Sequence, residues 1–166
     1  DLEYLRLIRP LYDARSSAYY DASPKTIMDI AGNPLLNVSY IIVDAYFADT
    51  LGPSLLGYSF NMTSGFMFLT FSETVSAITF KPSEVTLVNS SMPSIPSQYT
   101  LTGGTTSLVD GTTIALRLTP ADILQILSFF TLATSANDTY LTYTNLLVYD
   151  TSGNSAVPLP TPIQVT

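Results

Sequence analysis

The reactive side chains of this protein are almost all carboxylates and hydroxyls. Thirteen Asp and Glu stand against six Lys and Arg, a formal net charge of −7 over 166 residues, with no Cys, His or Trp. That composition excludes thiolate and imidazole metal sites, cysteine nucleophiles, disulfides and every Ser-His-Asp arrangement. Ser72, beside Glu73, would have only Lys or a carboxylate as its general base. The plainer reading of Phe71-Ser72-Glu73-Thr74 is a strand end, with Phe71 in the core and Ser72 and Glu73 turning the chain. Glu73 and Glu84 flank one predicted connection and are the nearest candidates for a two-carboxylate glycosidase. Such an enzyme needs its pair about 5 to 9.5 Å apart in a cleft. The expectation is no enzyme and no cofactor. Asp29 and Asp150 each come three residues before a Gly-Asn pair. In that position a carboxylate caps turn N–H groups while Gly or Asn accepts positive φ. Calcium would need six to eight converging oxygens. Asp44, Asp49 and Asp110 are too dispersed for spacing to assemble them, so no metal site is assigned.

Composition narrows the class further. Hydrophobic residues make up 46% and charged residues 11%, less than half the usual charged share of about 25%. A chain of this kind buries a core and leaves apolar and hydroxyl-rich surface over. Its acidity repels a phosphate backbone, so nucleic acid is excluded as a partner. No apolar run approaches the roughly 20 residues of a membrane span, and no signal peptide is read, so the chain reads as a mature or excised segment. Arg6, Arg9, Arg15 and Lys25 cluster early, and beyond Lys81 only Arg117 remains.

The elements that position these residues emerge when the chain is compared with itself. Residues 1–34 lie without a gap over 122–155, so that Asp1 meets Asp122, Leu11 meets Leu132, Tyr19 meets Tyr140 and Asp29 meets Asp150. Gly32-Asn33 then meets Gly153-Asn154, a repeat with a spacing of about 121 residues. Residues 1–48 therefore read as the second half of one unit, 49–53 as a joint ending in Gly-Pro, and 54–166 as a complete unit. In the complete unit alternation predicts strands over 55–60, 66–72, 85–88, 99–101, 107–109, 114–118, 140–143, 146–149 and 163–166. Asp110-Gly111 reads as a hairpin turn. Thr119-Pro120 reads as an N-cap followed by Pro at the first position of a helix over 121–130. In the first copy, Leu2, Leu5, Leu7, Ile8 and Leu11 mark a short helix over 1–12, ended near Pro10. The fold class is mainly β, a β-sandwich with one short helix, preceded by the C-terminal half of a second unit.

The segments MFLTFSETV, DGTTIALRLTP, VYDTSGN and, in the first copy, MDIAGNP resemble bacterial-type Ig-like repeats of surface-layer and adhesin proteins. The resemblance covers about 115 residues of the complete unit and the tail of the partial one. It implies an Ig-like sandwich in a tandem array at the cell surface or outside the cell. The stretch 122–139 is longer than in those compact domains. The resemblance extends to pilus-like fibres whose Ig-like subunits are joined by donor-strand exchange.

A sandwich half exposes unpaired strand edges and an apolar face. Residues 39–47, SYIIVDAYF, carry apolar side chains on both faces and so require cover on both sides. Two expectations stand side by side: strand complementation between copies of the chain, building an extracellular filament or cell-surface fibre, or a window on a longer tandem array in which 39–47 packs inside its own unit. Tyr40, Ile41, Ile42, Val43, Tyr46 and Phe47 would form the donor. Phe66, Phe68, Phe129 and Phe130 would supply lateral contacts. The alternative is a carbohydrate- or cell-surface-binding adhesin module with a tyrosine platform from Tyr19, Tyr20, Tyr140 and Tyr143. Asn37, Asn61, Asn89 and Asn137 each begin an Asn-x-Ser/Thr sequon and are candidates for glycosylation in a secreted protein.

Overall fold

The computed structural model describes residues 14–92 and 97–166. The helix expected over 1–12 lies outside the described residues. The chain divides into two compact units, 1–49 and 50–166.

In the first unit, β1 (Tyr19–Ala22) and β2 (Val38–Ile42) form an antiparallel pair with Tyr19 opposite Ile42 and Tyr20 opposite Ile41. The register shifts between Tyr20 and Ala22. Tyr40 sits at φ 55°, a left-handed conformation that costs a non-glycine residue free energy and breaks the alternation of a strand. Its amide donates to Asp21 Oδ1 at 2.6 Å, which holds it there. The run 39–47 is therefore a strand only as far as Ile42, and its regular two-faced pattern does not form. Between the strands, Asp29 closes a turn: its carboxylate accepts from the Asn33 amide at 2.8 Å, with Gly32 at φ 83°.

The second unit is a sandwich of two four-stranded antiparallel sheets. Its strands are β3 (Leu55–Asn61), β4 (Phe66–Val75), β5 (Val85–Val88), β6 (Gln98–Thr100), β7 (Gly104–Thr106), β8 (Gly111–Leu118), β9 (Tyr140–Tyr143) and β10 (Ile163–Gln164). One sheet runs β3-β4-β8-β7 and the other β10-β9-β5-β6. This is the strand order of an immunoglobulin-type sandwich with one strand added beside the third. Alternation explains the layers. Met67, Leu69 and Phe71 of β4 and Ile114, Leu116 and Leu118 of β8 point inward, and meet Val85, Leu87, Leu141 and Tyr143 of the other sheet. The helix α1 (Pro120–Leu127) starts as its sequence requires: Thr119 Oγ1 accepts from the Asp122 amide at 3.0 Å, and Pro120 takes the first turn. Only Asp122 and Ile126 of this helix are buried.

Four local expectations change. The strand expected over 107–109 is displaced to Gly104–Thr106, which pairs Thr105 with Arg117. Residues 107–110 form the connection instead, leaving Leu108 and Val109 exposed. Asp110 is anchored outside any tight hairpin, because its Oδ1 accepts from the Ala77 amide at 2.8 Å. The stretch 146–149 is a turn followed by single bridges, Val75 to Asp150 and Tyr149 to Ser155. Ser72 and Glu73 do not turn the chain, since β4 continues through them to Val75, with an irregularity in its pairing after Thr70.

Candidate functional site

The repeat is a repeat of hydrogen bonds as well as of residues. In the first copy the Asp29 amide donates to Asn33 O at 3.0 Å, the Asn33 amide to Asp29 Oδ1 at 2.8 Å and Asn33 Nδ2 to Asp29 Oδ2 at 2.9 Å. In the second, Asp150 and Asn154 make the same three bonds at 3.0, 2.8 and 2.8 Å. The bridge Met28–Pro34 matches Tyr149–Ser155. The bond from Leu35 N to Ile27 O matches the one from Ala156 N to Val148 O. One turn further back, the Ala14 amide donates to Ser17 Oγ and the Ser135 amide to Asp138 Oδ1. Strand β1 thus stands where β9 stands, 121 residues earlier.

Matched backbone carries mismatched burial. Leu141 is 0% exposed and its counterpart Tyr20 49%; Val148 is 0% exposed and its counterpart Ile27 59%. Asp150 is buried and Asp29 is exposed. In the complete unit β9 has β5 along one edge and β10 along the other; among the described residues β1 has β2 alone. Among the described residues, the first unit therefore leaves exposed an apolar face and a strand edge whose counterparts are covered in the second unit.

The expected donor residues lie at this place. Tyr40, Ile41 and Ile42 belong to β2 and are exposed, Val43 and Tyr46 are half-buried, and Phe47 is 90% exposed. The expected lateral residues divide. Phe66 and Phe68 stack on the outer face of the first sheet at 6.2 Å, with the Arg117 guanidinium 5.9 Å from the Phe66 ring. Phe129 leans on the core against Tyr99, whereas Phe130 is exposed. A tyrosine platform does not form around Tyr143, which is buried and donates its hydroxyl to Val157 O at 2.6 Å. Among the sequons, Asn37, Asn61 and Asn137 are exposed and Asn89 is half-buried.

Carboxylates are placed in ways that spacing does not reveal. Glu73 and Asp150, both buried, bring carboxylate oxygens within 4.8 Å of each other. The cause is the bridge between Val75 and Asp150, a long-range contact with no local signature. Glu84, the other half of the expected catalytic pair, instead accepts a hydrogen bond from the Thr144 hydroxyl. Asp122 is fully buried at the first turn of α1, and its Oδ1 accepts from the Tyr99 hydroxyl, the Thr102 amide and the Thr102 hydroxyl. Burial pushes this carboxyl up, but the bonds from Thr102 and Tyr99 outweigh it and hold the group below the ordinary value. An open groove of about 630 Å³ at one end of the sandwich is lined by Met62, Thr105, Arg117, Pro120, Ile123 and Leu124, among others.

No protein-family model, curated protein or solved structure matches this chain. No helix among the described residues is long and apolar enough to cross a membrane.

Proposed function

We propose that the chain is a structural subunit of an extracellular filament or cell-surface fibre, assembled by strand complementation between Ig-like units of neighbouring copies. The observation that carries this reading is the contrast between Tyr20 and Leu141, which hold one position in two copies of a strand, open in the first and sealed in the second. The two-stranded sheet of the first unit has two different edges, the outer edge of β1 and the outer edge of β2. When β2 of one copy pairs with β1 of the next, the sheet continues and the contact is head-to-tail, a geometry that propagates instead of closing. Tyr40, Ile41 and Ile42 are then the donor side, and Tyr19 to Ala22 the acceptor. Such pairing uses main-chain hydrogen bonds for affinity and side-chain pockets for choice of partner.

The test is sedimentation velocity and negative-stain microscopy of the full chain, with hydrogen exchange read at residues 19–22. Fibres are expected, with these amides protected on assembly, and Tyr20→Lys at the open strand should block them. A folded chain that stays monomeric at millimolar concentration, its 19–22 amides unprotected, overturns the reading.

A second reading, a glycan-binding adhesin module, draws on the stacked Phe66 and Phe68 with Arg117 beside them on an open sheet face. Glycan-array binding lost in Phe68→Ala supports it, and an array without hits removes it.

A further inference from the structure

One row of side chains crosses the outer face of the sheet β3-β4-β8-β7 and ends in a groove. Register places Phe66 of β4 opposite Arg117 of β8, and Arg117 opposite Thr105 of β7. Residues paired in this way are neighbours on one face, while Met67, Leu116 and Leu118 take the inner one. The Arg117 guanidinium lies 5.9 Å from the centre of the Phe66 ring, which stacks in turn on Phe68. Arg117 and Thr105 both line the open groove of about 630 Å³. Small-molecule sites occupy roughly 300 to 1,000 Å³, so this groove has room for a ligand.

The lining specifies the chemistry of that ligand. Arg117 is its one charged residue, and it is exposed. Asp122, in the first turn of α1, is buried and does not line the groove; its Oδ1 accepts from Tyr99 and Thr102. The net charge of −7 acts on an approaching anion only from afar, and salt screens charges beyond about 8 Å at physiological ionic strength. Contact with Arg117 therefore decides, and it favours a carboxylate. Thr63, Ser64 and Thr105 add exposed hydroxyls, and Ile123 and Leu124 add an apolar wall. A carboxylate, several hydroxyls and an apolar face together describe an acidic pyranose.

We infer that this groove binds a uronate residue of an acidic glycan, with Arg117 as the partner of its carboxylate. The adjoining sugar then lies on the Phe66–Phe68 surface, of which Phe68 is 45% exposed. The inference deepens the glycan-binding reading and rests on it; the fibre reading does not enter. A guanidinium takes both oxygens of a carboxylate in its planar fork. Its place over the Phe66 ring is set before the ligand arrives, which lowers the ordering cost of binding. A peptide ending in a free carboxylate would use Arg117 as well, but it has no need of the aromatic surface beside it.

The test is an NMR titration of the full chain with three probes: a galacturonate trisaccharide, the matching galactose trisaccharide and a trialanine peptide. The acidic sugar is expected to bind at least tenfold more tightly than the neutral one, shifting the amides of Thr105, Arg117 and Ile123. Arg117→Gln should bring the acidic sugar down to the level of the neutral one, and Arg117→Lys should keep part of the preference. Phe68→Ala should weaken both sugars alike. Circular dichroism checks that each variant keeps the fold. A preference that survives Arg117→Gln, or trialanine binding as tightly as galacturonate, overturns the inference. Equal affinity for the two sugars, lost in Phe68→Ala, also overturns it but leaves the glycan-binding reading standing. Failure of that reading shows instead as no binding of either sugar, and the inference falls with it.

Discussion

The Tyr99 hydroxyl donates to Asp122 Oδ1 at 2.8 Å, and through this bond the second sheet is tied to the first turn of α1. The same oxygen accepts twice from Thr102, while Asp122 Oδ2 is buried with no hydrogen-bond partner among the described residues. Truncating the side chain takes the acceptor from three part-buried hydrogen bonds at once. Asp122→Ala is expected to cost about 3 kcal/mol, read by urea unfolding.

The same carboxyl predicts an acid limit. Its folded value lies below the ordinary 3.8, so its contribution is fully present above 3.8 and is lost as pH falls through the depressed value. Thermal unfolding from pH 5 to pH 2 should show a drop that Asp122→Asn flattens. At the alkaline end, burial and the Asp122 carboxylate raise the Tyr99 hydroxyl above its ordinary 10.0. Its contribution holds below 10.0 and fades as pH rises through the raised value, a loss absent from Tyr99→Phe.

Matched positions in the two copies should respond differently to one substitution. Leu141→Ala opens a cavity in a closed core and is expected to cost about 3 kcal/mol. Tyr20→Ala removes a side chain that is half exposed, and is expected to shift unfolding by less than about 0.5 kcal/mol while weakening self-association. Equal costs in the dilute monomer would contradict the contrast in burial.

Gly52 comes close to the backbone of the chain's last quarter. A Cβ at this position would collide with the Ser155 carbonyl oxygen, next to the bond from the Val157 amide to Pro53 O at 2.9 Å. Backbone cannot step aside as a side chain can, so Gly52→Ala is expected to destabilise the second unit by about 2 kcal/mol or more. Hydrogen exchange should localise the loss to Val157.

Much of the sandwich was legible in the sequence because it is written in local alternation. Met67, Leu69 and Phe71, and likewise Ile114, Leu116 and Leu118, repeat every second residue and face the core as that period demands. Thr119-Pro120 announced the helix because capping is a matter of adjacent residues. What stayed hidden depends on distant partners. Gly104–Thr106 shows no strand alternation and pairs only because β8 offers it an edge. Glu73 and Asp150 meet through a bridge between remote segments. Asp122 reads as a first-turn acid, and only the arrival of Tyr99 and Thr102 makes it an internal clamp. Tyr40 shows the opposite failure: its neighbours promise a regular strand, and a single contact with Asp21 turns its backbone aside.

The last residues of the second unit change sheets. Gln164 pairs with Tyr140 in one layer, and Thr166 donates both its amide and its hydroxyl to Tyr58 O in the other. Tension applied at Thr166 is therefore divided between two layers at once. Strand β10 cannot be drawn off one layer without straining the bonds that the residues after it make to the other.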